Sequence, residues 1–241
     1  MAVSDSFVEV GAGLRGYLAV PAGPGPRPAV LLYMEAFGLN DYVKSECDRL
    51  AALGYVALAP DFYRGEIYTY DEFPRVAKKI QAIGDDGFLA DVRASLAFLD
   101  AHDAALHDGY GVIGFCMGGR LAFLTAAEFG TKIAAAVSFY GGGIAPTEPR
   151  LGRAILTGRA PDVTAKMLLI YGADDGGITP DEIARVTEAL AVAKKDATVH
   201  VYPGAGHGFA SQDRESYVPA VTAAAWAETA SFFASALGTP A

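Results

Sequence analysis

Residues 110–120, Tyr110-Gly111-Val112-Ile113-Gly114-Phe115-Cys116-Met117-Gly118-Gly119-Arg120, decide the fold. An apolar run ends in G-x-C-x-G and passes at once into the helical stretch Leu121–Phe129. Strand, sharp turn and helix in that order form a nucleophile elbow, with cysteine where serine usually stands. The glycines have a steric reason. A strand turning directly into a helix strains the backbone at the central residue, and a Cβ on Gly114 or Gly118 clashes with the turn. The elbow lifts the Cys116 sulfur to the carboxyl end of a sheet and aims the Met117 N–H at a developing oxyanion. The following helix N-terminus favours thiolate.

Outward from the elbow, the chain alternates two kinds of segment. The apolar runs Ala29–Tyr33, Tyr55–Ala59, Tyr110–Phe115, Ala134–Tyr140, Met167–Tyr171 and Val199–Tyr202 suit strands buried on both faces. Phe7–Val10 and Leu14–Val20 read as an opening hairpin, before a turn-rich connector over 21–28. Helical periods lie between the strands: Val43, Cys47, Leu50 and Leu53; Leu89, Val92, Leu96 and Leu99 behind Asp85-Asp86; and Ile183, Val186 and Leu190 behind Thr179-Pro180. Val218, Val221, Ala225, Phe232 and Leu237 mark a closing helix. The pattern predicts one α/β domain over 1–241, with a mostly parallel sheet of about eight strands and helices on both faces.

Composition narrows the function. The 241 residues carry a formal charge of −9, with 52% hydrophobic and 20% charged types, which excludes intrinsic disorder. The acidic balance and the lack of basic blocks argue against nucleic acid or an anionic membrane as partner. No secretory pattern opens the sequence and no window approaches a membrane span. Cys47 and Cys116 are too few for a disulfide framework, so a cytoplasmic, reducing setting is expected. Neither a zinc spacing nor a phosphate loop appears, and no metal or cofactor is expected.

The two cysteines read differently. Cys47 sits on an apolar helical stripe and is core, whereas the elbow makes Cys116 a nucleophile. His207, in the glycine-rich loop Gly204-Ala205-Gly206-His207-Gly208, follows a late strand, as the chain order nucleophile, acid, histidine requires. His102, His107 and His200 read as surface or structural residues. An acid between nucleophile and histidine could hold the imidazole tautomer, and Asp174 and Asp175 both qualify. Glu35, at the end of the first parallel strand, either caps the next helix or faces the crevice where such sheets bind ligands.

Together these motifs resemble the dienelactone hydrolase family, a cysteine-using branch of the α/β-hydrolase fold, from about Ala29 to the last helix. Gly114-Phe115-Cys116-Met117-Gly118-Gly119 resembles its elbow, Gly206-His207-Gly208-Phe209 its histidine loop, and Gly172-Ala173-Asp174-Asp175 its acid loop. The resemblance implies a Cys116-His207-Asp175 triad and an oxyanion hole of Met117 and Ala36 N–H groups. From Met34-Glu35-Ala36-Phe37-Gly38-Leu39-Asn40 it implies that Glu35 touches the resting thiol. From Pro60-Asp61-Phe62-Tyr63-Arg64-Gly65 it implies an arginine near a substrate carboxylate. The family's second arginine, four residues after the histidine, is Ser211 here. Tyr63, Arg64, Arg120 and Phe37 are the candidate substrate contacts. The expected activity is hydrolysis of a small-molecule ester or lactone through an acyl-cysteine, by a monomer or weak homo-oligomer. A general carboxylesterase, a thioesterase and a non-catalytic thiol sensor are the alternatives.

Overall fold

In the computed structural model, which describes residues 3–11 and 13–238, apolar strand runs and amphipathic helices alternate along the chain. The strands are β1 (Val3–Gly11), β2 (Leu14–Pro21), β3 (Ala29–Tyr33), β4 (Val56–Pro60), β5 (Tyr110–Phe115), β6 (Ile133–Phe139), β7 (Lys166–Gly172) and β8 (Ala197–Tyr202). They form one sheet in the order β1-β2-β4-β3-β5-β6-β7-β8. Only the β1/β2 and β2/β4 pairs are antiparallel. Every residue of β3, β4 and β5 is buried, as expected for strands covered on both faces. At the edge, β8 is only partly covered.

The helices are α1 (Asp41–Ala52), α2 (Phe73–Asp100), α3 (Met117–Glu128), α4 (Pro180–Val192) and α5 (Pro219–Leu237). Local chemistry sets their starts. Asn40 Oδ1 accepts from Val43 N–H at 3.1 Å to cap α1, and Thr179 Oγ1 accepts from Glu182 N–H at 3.2 Å to cap α4 before Pro180. One face of the sheet is covered by α1 and α5, where the Arg49 guanidinium lies over the Trp226 ring. Tyr42 and Trp226 from those helices both pack on Phe115 of β5. The other face carries α2 and α3, joined by the Arg120–Asp85 ion pair. Each large side chain so buried contributes roughly 1.5–3 kcal/mol.

The structure departs from the sequence pattern in three places. Leu53 stands at the C-cap of α1 and is exposed, so the buried stripe stops at Leu50. On α5 the buried face runs through Thr222, Ala225, Trp226, Thr229 and Phe233, not through Phe232. Most importantly, α2 begins at Phe73, a full segment before the expected Asp85 start. Gly84 divides it with φ 64° and ψ 175°, a conformation that suits glycine and interrupts the helical ladder.

The elbow itself is held by contact. A Cβ on Gly114 would run into the Gly118 carbonyl, and one on Gly118 into the Tyr33 carbonyl of β3. We expect Gly114→Ala or Gly118→Ala to cost ~3 kcal/mol or more, or to prevent folding, because backbone cannot yield as a side chain can. Gly158→Ala, where a Cβ meets only open space, should change stability by less than ~0.5 kcal/mol in urea unfolding.

Candidate active site

The carboxyl ends of β3, β5, β7 and β8 meet on one rim of the sheet. From them project Glu35 and Ala36, Cys116, Asp175, and His207. Cys116 has φ 54° and ψ −113°, a positive φ that a non-glycine residue adopts only under constraint. Its N–H donates to Phe139 O at 3.0 Å, and its carbonyl accepts from Gly119 N–H at 3.0 Å. Both ends of the strained residue are therefore pinned. The side chain is left at the N-terminus of α3, where Met117 N–H has no carbonyl one turn back within the helix.

His207 bridges the other two groups. Its Nε2 lies 3.1 Å from Cys116 Sγ and its Nδ1 lies 2.7 Å from Asp175 Oδ2. Asp175 is buried and its second oxygen is occupied, accepting from Gly177 N–H at 2.8 Å and Ile178 N–H at 3.2 Å. Neighbouring Asp174 is exposed. The two acids left open by the bare sequence are thereby separated: only Asp175 faces the histidine. The Tyr140 ring stands edge-on to the imidazole at 5.3 Å, and Ser216 Oγ donates to His207 O at 2.8 Å, fixing the loop.

Burial by itself would lower the His207 pKa. The Cys116 sulfur and the Asp175 carboxylate outweigh it and push the pKa from 6.5 up to about 10. Both neighbours therefore favour the protonated imidazole.

Glu35 is buried, and neither oxygen has a hydrogen bond of good geometry among the described residues, although the Tyr140 hydroxyl stands close enough to favour its carboxylate. The resemblance implies that Glu35 touches the resting thiol; the contact that Sγ makes here is with His207 Nε2. Its counter-charge is Arg214, whose Nε lies 3.5 Å from Glu35 Oε2 and whose guanidinium covers the Tyr70 and Phe37 rings. Burial pushes the Glu35 carboxyl up, while Arg214 and His207 pull it back. At the serine position, Ser211 is buried and its hydroxyl pairs with that of Tyr70 at 3.2 Å.

A cavity of about 580 Å³ opens onto Cys116, and its lining includes Ala36, Met117 and His207. The expected substrate contacts divide sharply. Arg64 is not there: Asp91 takes its guanidinium in a two-bonded pair at 2.6 and 2.8 Å, over a separate shallow groove. Tyr63 lies beneath the site, its hydroxyl donating to Met117 Sδ at 3.6 Å, and Phe37 packs on Tyr70. Arg120 does line the cavity, as a buried residue locked to Asp85. Sequence reasoning missed Arg150, Arg153, Phe73 and Ile80, which also line it. The run Gly141-Gly142-Gly143 after β6 was the available signal that a ligand wall begins there.

The dienelactone hydrolase family profile matches residues 14–237. A Methylorubrum extorquens protein provisionally named carboxymethylenebutenolidase is 34% identical over 207 residues, covering 85% of this chain and 70% of its own. An Escherichia coli protein of the same provisional name is 31% identical over 235 residues, covering 95% and 84%. Among solved structures, a provisionally named dienelactone hydrolase from Klebsiella pneumoniae superimposes with a TM-score of 0.88 at 29% identity, over 97% of this chain and 99% of its own. A dienelactone hydrolase-like promiscuous phosphotriesterase from metagenomic libraries gives 0.82 at 25% identity, over 98% and 99%.

The raised His207 pKa has a defined sign. Its stabilising contribution is complete below the unfolded value of 6.5 and is lost as pH climbs through about 10. Asp175→Asn removes one of the two partners. We expect its imidazole titration, followed by NMR, to reach midpoint at least ~1 unit below wild type, with a shallower loss of stability on the alkaline side.

Proposed function

The chain belongs to the dienelactone hydrolase family and is a hydrolase of that type, and we propose that it cleaves its small-molecule ester or lactone through a Cys116-His207-Asp175 triad. The observation that carries this reading is the continuous contact Sγ–Nε2 and Nδ1–Oδ2, at 3.1 and 2.7 Å. Each role follows from position. Cys116 sulfur attacks the carbonyl carbon while its proton resides on His207 Nε2, and the carbonyl oxygen becomes an oxyanion met by Ala36 and Met117 N–H groups. Collapse breaks the carbon–oxygen ester bond, and the imidazolium returns the proton to the leaving alkoxide or enolate. The product is an acyl-cysteine. Water deprotonated by His207 then attacks that thioester, and the thiolate departs as the acid forms. Asp175 stays ionised throughout and orients the ring.

A thiolate leaves more readily than an alkoxide, so the first tetrahedral adduct of an alkyl ester tends to revert. Enol lactones and aryl esters, with better leaving groups, are the favoured substrates. Both cysteines are free, which fits a thiol enzyme of a reducing compartment such as the cytoplasm. No helix among the described residues is long and apolar enough to cross a membrane.

Turnover of aryl acetates and of dienelactones by wild type, Cys116→Ala and His207→Ala tests the assignment. Each substitution should lower kcat by ~10³-fold or more, as removal of a triad member does. Turnover indifferent to both would discard the triad; no turnover by wild type, with Cys116 still readily oxidised, would favour a thiol sensor.

The Glu35–Arg214 pair is proposed to tune the thiol. A carboxylate near the sulfur opposes thiolate by like-charge repulsion, and Arg214 limits that opposition. Iodoacetamide should therefore alkylate Cys116 several-fold faster in Glu35→Gln and more slowly in Arg214→Met, without ligand. Equal rates in all three proteins would refute the tuning.

A further inference from the structure

Away from the sulfur, the cavity wall is apolar, with Phe73, Ile80, Leu151 and Ile178, except for three arginines. Their hydrogen bonding differs. Arg120 is fully engaged: Nε donates to Gly143 O at 3.0 Å, Nη1 to Asp85 Oδ1 at 2.7 Å, and Nη2 to Asp85 Oδ2 at 2.9 Å and Ala154 O at 2.6 Å. Arg150 is half exposed and donates to Gly177 O, with Glu182 Oε2 3.6 Å away. Arg153 is the exception. Its side chain is 6% exposed, it gives Asp85 Oδ1 a single bond from Nε at 2.8 Å, and its buried Nη2 has no hydrogen-bond partner among the described residues. Asp85 is thus one carboxylate shared by two nearly buried guanidiniums. Apart from the Phe88 ring beneath its guanidinium, Arg153 thus has half a counter-charge, and a buried cation short of both water and partners is costly. Tyr63, bonded to Met117, feels both Arg153 and Cys116, which puts the under-compensated cation within electrostatic reach of the nucleophile.

We propose that Arg153 determines specificity by receiving the carboxylate of a substrate whose ester or lactone carbonyl is joined to that carboxylate by an apolar arm. This rests on the triad reading of the same cavity. The two positions that the family resemblance marks for substrate arginines do not serve: Arg64 is held by Asp91 and residue 211 is serine. Pockets of ~300–1,000 Å³ hold ligands of drug-like size. At about 580 Å³ this one has room for an arm lying along Phe73, Ile80 and Ile178 while the carbonyl sits at Cys116. The incoming anion would make two cations and two anions of Arg120, Asp85, Arg153 and substrate.

The test uses two matched pairs, with the carboxylate on either side of the scissile bond. One pair is mono-4-nitrophenyl glutarate against 4-nitrophenyl valerate; the other is phenyl acetate with and without a para-carboxymethyl group. Wild type should prefer the anionic member of at least one pair by ~10-fold or more in kcat/KM, mainly through KM, as one charge-assisted hydrogen bond supplies. Arg153→Met should abolish the preference, Arg153→Lys should restore part of it, and Arg64→Met should leave it intact. No anionic preference in either pair, or a preference that survives Arg153→Met, overturns the proposal. So does an equal loss on anionic and neutral members with a lowered melting temperature, which would make Arg153 purely structural. Calorimetric binding of adipate to Cys116→Ala, and its loss in Cys116→Ala/Arg153→Met, separates this inference from the triad: the first can stand or fall without turnover.

Discussion

The structure depends on a close approach between backbones. Residues 114 and 118 touch through the turn that carries Cys116, and residue 118 also meets the carbonyl of Tyr33 on the neighbouring strand. Side chains at either place would separate β3, β5 and α3, and the cysteine would lose its unusual φ. A non-glycine residue held there costs on the order of 1–3 kcal/mol. Buried strands on either side and the aromatic packing around Phe115 and Phe139 offset that cost. Rigidity at the centre of the sheet and reactivity at its rim have the same steric origin.

Electrostatics at the rim extends this arrangement. Four strand ends deliver a sulfur, an imidazole and two carboxylates to one small volume. Each carboxylate is treated differently by its surroundings. Asp175 has two backbone N–H donors and the imidazole, and so is fully satisfied as an anion. Glu35 has a guanidinium 3.5 Å away and the Tyr140 hydroxyl nearby, but no well-formed hydrogen bond among the described residues. Two acids of the same chemical type therefore act in opposite ways, one as a fixed support for His207 and the other as a charge in tension with its setting. The arginine that relieves Glu35 lies three residues beyond the serine position, reached because the chain turns back through 211–217.

Much of this was legible in the chain because it is local. The elbow needs only consecutive residues, and the apolar runs of β3 through β7 announce a buried parallel sheet. Both readings hold within a residue or two in the structure. The histidine loop is likewise compact in sequence. What escaped were pairings across long separations. Nothing near Arg64 says that Asp91 on α2 will take it, and nothing near Arg120 says that Asp85 will bury it. The first half of α2 was missed for a related reason. Its buried residues, Val76 and Ile80, are too sparse to make a stripe, because this segment covers a cavity and not a sheet. Likewise, an unmet guanidinium such as Arg153 is a property of its three-dimensional neighbours and leaves no trace in spacing.

The break at Gly84 has a bearing on how such a protein can diversify. It separates a helical stretch devoted to the core from one that roofs the chamber, so neither transmits its distortions directly along a continuous hydrogen-bonded axis. Phe73 and Ile80, before the break, can be exchanged at the chamber wall without disturbing the helical ladder that starts with Asp85, the carboxylate on which Arg120 and Arg153 are held.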